Sequence, residues 1–154
     1  MAGGPATVKR WAVRGVRVIV GALFIYAGWL KSRDPGALIR DLWNYRLIPE
    51  DAAYWIAAAL PYLEIVAGIA LITGLQRRGA HLVLGGMLAV FIGALASAWF
   101  RGLDINCGCF GSASAEHANY PLLIGRNLLL LAGVAWSAIA ARAATRDSSG
   151  ISGA

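Results

Sequence analysis

Cys107-Gly108-Cys109-Phe110-Gly111 contains both cysteines of this 154-residue chain. Two thiols separated by one glycine close a very small ring when oxidised, and strain in such a ring makes the bridge easier to reduce than a structural one. The chemistry expected of Cys107 and Cys109 is thiol–disulfide exchange, in which one sulfur attacks or is attacked and the other resolves. Gly108 and Gly111 permit the tight backbone, and Phe110 suits an anchor at a membrane interface. Two other readings compete. One takes the cysteines as a static clip or as two unpaired thiols beside a turn, the other as a soft metal site with His117 beside Asp104. The metal reading is the weaker, because paired cysteine ligands ordinarily have two or more residues between them, and no metal is assigned.

Three more residues are costly where they stand. Glu64 and Arg126 are charges inside long apolar runs, and Lys31 closes another. A carboxylate at such depth must be paired, protonated or hydrated. Arg126, about one turn into its run from the side on which Lys31 lies, is the expected partner of Glu64, with Lys31 second. One reading is a structural ion pair; the other is proton transfer or contact with a quinone. A cation from Lys31 or Arg126 near the cysteine loop would also favour the thiolate at Cys107 or Cys109.

The elements that must position these residues are membrane helices. Hydrophobic residues make up 58% of the chain and charged residues 14%, against about 25% charged in soluble domains. Four runs, about 13–30, 55–75, 82–100 and 122–141, meet the requirement of roughly 20 apolar residues per span. The first carries Arg14 and Arg17, which leaves 18–30 uncharged, so it spans if those arginines snorkel to the near surface. A cleaved signal peptide is the rival for this run, but Trp29, Leu30 and Lys31 after Ala27-Gly28 make a poor cleavage site. The expected fold is all-α: a four-transmembrane-helix bundle over 13–141, a cytoplasmic segment at 1–12 and a disordered, Ser- and Gly-rich tail at 142–154.

Basic residues orient the bundle, since cytoplasmic flanks are enriched in Lys and Arg. Lys9, Arg10, Arg14 and Arg17 precede the first span, Arg77 and Arg78 separate the second from the third, and Arg142 and Arg146 follow the fourth. The other face has Lys31, Arg33, Arg40, Arg46 and Arg101, offset by acids. Both termini are expected in the cytoplasm and the cysteine loop outside an inner membrane, the compartment in which disulfides persist. The net charge of +6 then reflects topology, and no basic patch interleaved with aromatics indicates nucleic acid.

Between the first two spans, Asp34-Pro35 is a helix start, and Leu38, Ile39, Leu42, Trp43 and Tyr45 recur at helical spacing until Pro49. This predicts a short amphipathic outer helix with Trp43, Tyr45, Tyr54 and Trp55 at headgroup depth. It is either a lid over the cysteine loop or a simple connector. Pro61 should kink or loosen the second span. Small residues four apart, Ala89, Gly93 and Ser97 in the third span and Gly133, Ser137 and Ala141 in the fourth, predict close helix packing. His81 reads as a plain interfacial residue. Phosphate-loop, dinucleotide, Gly-x-Ser-x-Gly and His-Glu-x-x-His patterns do not occur.

Taken together, Ala27-Gly28-Trp29-Leu30-Lys31, Leu60-Pro61-Tyr62-Leu63-Glu64 with Gly68, the Cys-Gly-Cys-Phe-Gly element and Arg126-Asn127 resemble the MauE/DoxX group of bacterial inner-membrane proteins, over about 13–141. The cysteine element points to the MauE side. The resemblance implies a polytopic protein of methylamine utilisation that helps process, export or mature the small subunit of methylamine dehydrogenase, a periplasmic subunit dense in disulfides.

These readings converge on a membrane protein that presents Cys107 and Cys109 to a periplasmic thiol protein. Four-helix thiol oxidoreductases of the vitamin K epoxide reductase type are a fold-level analogy only, for their Cys-x-x-Cys spacing is not present. A single cysteine pair has no internal relay, so it needs a thioredoxin-like partner or a bound quinone. The alternative class is a non-enzymatic assembly or export factor with a structural cysteine bridge. A transporter is a weaker third, with one acid and one deep base in the spans.

Overall fold

α1 (Pro5–Arg33) begins on a proline, whose fixed φ suits the first turn of a helix. It ends where Asp34-Pro35 starts α2 (Pro35–Asn44), and the Asp34 carboxylate accepts from the Ala37 N–H at 2.8 Å, as the sequence predicts. α3 (Glu50–Thr73) carries Glu50 and Asp51 in its first turn, at the positive end of the helix dipole. Gly74 closes it in the left-handed region, φ +80°, and donates its N–H to the Ala70 carbonyl at 3.0 Å. α4 (Arg77–Phe100) and α5 (Tyr120–Gly150) complete the computed structural model, which describes residues 5–103 and 119–150. Cys107, Gly108, Cys109, Phe110 and Gly111, with Asp104 and His117, lie outside the described residues.

Four helices are long and apolar enough to cross a membrane: Trp11–Arg33, Glu50–Thr73, Arg78–Phe100 and Tyr120–Ala141. The chain is a multi-pass, all-α membrane protein. α1 packs on α3, α3 on α4, α4 on α5 and α5 back on α1, so the four close a ring around a common axis, while α2 rests on α3 and α1. Val20, Phe24, Ala67, Leu71, Ala80, Leu84, Leu88 and Val134 form the larger core cluster. Tyr45, Leu95 and Ala98 form a second at the end where α2 lies, packed against Leu103, Tyr120, Leu123 and Ile124.

The closest approach is between α1 and α3. A Cβ on Gly21 would lie 2.8 Å from the Gly68 carbonyl, and one on Gly28 2.6 Å from the Pro61 carbonyl. Both distances are impossible for a real side chain, so these glycines set the helix separation. The predicted stripe in α4 does not do this work: Ala89 and Gly93 are exposed, and a Cβ on Gly93 would meet nothing within 4 Å. Spacing defines a face of a helix but not its direction, and this face turns off the bundle. In α5, Gly133 does face α1: a Cβ on it would lie 3.5 Å from the Val16 side chain and 3.6 Å from that of Val20, ordinary contact distances.

Several expectations are revised by the same geometry. Arg17 does more than snorkel: it donates through Nε and Nη2 to the Leu71 carbonyl, at 3.1 and 2.5 Å, in the last turn of α3, where backbone carbonyls lack intrahelical donors. Arg14 is exposed, 5.7 Å from the Trp11 ring centroid. Pro61 lies inside α3, which is one helix from Glu50 to Thr73. Tyr45 is buried in the second core cluster, because α2 ends at Asn44 and Arg46 turns the chain at φ +50°. Trp43 is half-buried, edge-on to Tyr54 at 5.8 Å, while Trp55 is exposed. Beyond Ala141, α5 continues as helix to Gly150, across much of the stretch expected to be disordered. Its Ala- and Arg-rich start, Ala-Arg-Ala-Ala, is strongly helix-forming.

Candidate functional site

Gly28 and Lys31 are three residues apart on α1, and Pro61 and Glu64 are three apart on α3, so each pair shares one helix face. Gly28 lets the two backbones touch at Pro61. The helices run antiparallel and Gly28 faces Glu64 as well, with a Cβ there 3.1 Å from the Glu64 Cβ, so Lys31, one turn along α1, reaches back to Glu64 and its Nζ donates to Oε1. Both partners are buried, at 6% and 2% exposure. The motifs Ala27-Gly28-Trp29-Leu30-Lys31 and Leu60-Pro61-Tyr62-Leu63-Glu64 thus meet as one unit: a small residue and a proline make the contact, and an ion pair follows. Sequence reasoning ranked Arg126 ahead of Lys31 as the partner; the order is reversed, because the Gly28 contact settles which cation is nearest.

The ion pair borders a cavity of about 50 Å³ lined by all four spanning helices. Lys31, Phe24 and Leu23 enter it from α1, Glu64 from α3, Phe91 from α4, and Arg126 and Asn127 from α5. Lys31 Nζ also stands 5.0 Å from the Phe91 ring centroid, a cation–π arrangement. Asn127 is buried and donates to the Leu123 carbonyl at 2.8 Å. Glu64 Oε2 is buried with no hydrogen-bond partner among the described residues. A buried carboxylate oxygen without a donor implies water or a ligand group beside it. The polar layer lies between the two apolar clusters, with Phe24 and Leu88 on one side and Leu95 and Tyr45 on the other.

Phe91 and Asn127 are members of this site that residue types alone did not single out. Phe91 carries no signal among aliphatic neighbours, whereas Asn127, a buried amide beside Arg126, could have been found from its rarity within a span. At the opposite end of the bundle, His81 is more than a plain surface residue: it is buried, with Nε2 2.8 Å from the Ser137 hydroxyl. Ser137 also donates to the Val134 carbonyl at 2.9 Å. Among the described residues no three His, Cys, Asp or Glu side chains cluster as metal ligands. Gly108, Cys107, Cys109, Phe110 and Gly111 are not among them, but the ends of their loop are: Leu103, whose carbonyl accepts from the Tyr120 hydroxyl, and Asn119, whose carbonyl accepts from the Leu123 N–H at 3.0 Å.

Fold and site together define a small four-span membrane protein with a buried charged layer near one end. The family model described as "Methylamine utilisation protein MauE" matches residues 9–140, and the chain belongs to this family. It is 31% identical over 123 residues to a protein named methylamine utilization protein MauE from Paracoccus denitrificans, covering 79% of this chain and 64% of that one. A second protein of that name, from Methylorubrum extorquens, is 37% identical over 125 residues, covering 79% of this chain and 67% of its own length. The chain therefore spans about two thirds of the length of these curated relatives. No solved structure matches.

Proposed function

We propose that this protein presents Cys107 and Cys109 on the non-cytosolic side of a bacterial inner membrane, as a dithiol–disulfide pair that exchanges with an exported thiol protein. The observation that carries the reading is the position of both cysteines in the one polar connection between the third and fourth spans, a loop whose two ends are pinned at the α2 end of the bundle. Family membership supports a role in methylamine utilisation; the client in this reading is the small subunit of methylamine dehydrogenase.

In the oxidising direction a client thiolate attacks one sulfur of the Cys107–Cys109 bridge and forms a mixed disulfide, releasing the other sulfur as thiolate. A second client thiolate then displaces the first cysteine. The client gains one disulfide, the loop becomes a dithiol, and the pair must be reoxidised by a thioredoxin-like protein or a quinone. Arg126, within the first two turns of α5, adds positive charge on the side of the bundle where the loop begins and ends, which favours the thiolate form. The test is to express Cys107→Ser and Cys109→Ser singly and trap adducts with a permeant alkylating agent. One single variant should accumulate a mixed disulfide with the client and the double variant none. Full client maturation in the double variant overturns the reading in favour of an assembly or export factor.

A further inference from the structure

We infer that the cavity beside Glu64 binds a small monovalent anion of the halide class, chloride above all, together with one water. Size sets the first limit. The cavity holds about 50 Å³. Sites for organic ligands start at about 300 Å³, so rings and lipid headgroups are excluded. A water needs roughly 10–15 Å³ of such space, and a halide is only a little larger, so the two fit side by side.

Donors decide the sign of the occupant. Lys31 and Arg126 line the cavity against one carboxylate, Glu64, and Asn127 adds an amide. Among the described residues this lining carries one positive charge in excess. Lys31 uses one N–H on Glu64 Oε1, and an ammonium has three. A guanidinium has five, so Arg126 can serve the cavity and another group at once. The Asn127 amide donates one N–H to the Leu123 carbonyl and keeps a second. A cation is repelled by Lys31 and Arg126, whereas an anion is attracted by both.

The second oxygen of Glu64 fixes the other occupant. Oε2 is buried with no hydrogen-bond partner among the described residues. An anion has no proton to give it. A water does, and its other O–H turns to the anion, so a single water bridges carboxylate and halide and keeps the two like charges apart. The remaining walls are apolar, with Phe24, Leu88 and Phe91 among them. Such walls return nothing for a lost hydration shell, which selects a weakly hydrated monovalent ion over sulfate. The way in runs along Arg126, which is half-buried and lies six residues, about 9 Å, into α5. Cys107 and Cys109 take no part, so the site stands or falls apart from the exchange chemistry.

The experiment follows the chloride NMR linewidth with the full chain in phosphatidylcholine nanodiscs. Empty nanodiscs are the blank, and sodium gluconate holds the ionic strength constant. Wild type should give saturable excess broadening that bromide removes and sulfate does not. Arg126→Gln should raise the chloride Kd at least about tenfold, and Arg126→Lys should keep most of the binding. Glu64→Gln, which removes the acid, should tighten it, and the thermal unfolding midpoint of this variant should rise more steeply with chloride than that of wild type. Cys107→Ser with Cys109→Ser should bind like wild type. No excess broadening in wild type overturns the site and leaves water alone in the cavity. Equal broadening by folded Arg126→Gln, removal by sulfate as readily as by bromide, or weaker binding by Glu64→Gln overturns it as well, in favour of ions at the surface. Should Arg126→Gln fail to fold, the bromide and sulfate competitions on wild type decide.

Discussion

Lys31 donates to Glu64 across the same seam where Gly28 meets the Pro61 carbonyl, for on these antiparallel helices Gly28 faces both Pro61 and Glu64 and Lys31 reaches back to the carboxylate. The arrangement joins stability to site geometry: whatever moves α1 on α3 also moves the charged layer. Removing one member of a buried pair leaves the other charge uncompensated, whereas removing both does not. Lys31→Met should therefore cost about 3 kcal/mol, and the double change Lys31→Met, Glu64→Leu distinctly less than that. Denaturant unfolding in detergent, followed as a double-mutant cycle, checks this. Additive losses would mean that the two residues do not act as a pair.

Backbone approach should be far more sensitive at Gly28 than at Gly93. Gly28→Ala forces a Cβ to 2.6 Å from backbone and is expected to lower stability by about 2 kcal/mol or more. Gly93→Ala meets nothing within 4 Å and gains helix propensity, so it should be neutral or stabilising by about 0.5 kcal/mol. Thermal unfolding midpoints of the two purified variants decide the point.

Much of this was legible in the letters and some was not. The four spans follow from apolar length, and the Asp34-Pro35 start of α2 follows from capping chemistry, both local properties. The ion-pair partner of Glu64 was not, because choosing Lys31 over Arg126 requires knowing that α1 can touch α3 at Gly28. His81 and Ser137 meet through the register of α4 on α5, which no spacing within either helix encodes. Tyr45 followed the α2 periodicity in sequence but lies one residue beyond the helix, and the turn at Arg46 leaves it in the core.

The His81–Ser137 bond should be measurable on its own. Ser137→Ala removes an interaction of 2.8 Å between two buried side chains, and a loss of about 1 kcal/mol is expected. Unfolding midpoints of Ser137→Ala and wild type, compared in the same detergent, provide the check.

On α2, burial of Asp41 lifts its carboxyl above the ordinary value near 3.8, with Arg40 opposing and Asp34 adding to the rise. Folding thus favours the protonated form, and the charged carboxylate costs stability once the pH exceeds the raised value. Asp41→Asn should stabilise the protein near neutral pH, by no more than about 0.5 kcal/mol, with the advantage fading as the pH falls towards the ordinary carboxylate range. Unfolding midpoints of both proteins between about pH 4 and pH 7 test the sign.

The most direct test of the account is the accessibility of its two sulfurs. Spheroplasts expressing the full chain would be treated with membrane-impermeant maleimide before and after mild reduction, and the labelled cysteines mapped by mass spectrometry. Labelling of Cys107 and Cys109 from outside, appearing on reduction and lost on reoxidation, is the predicted result. Labelling only after the inner leaflet is exposed would contradict both the orientation and the exchange chemistry built on it.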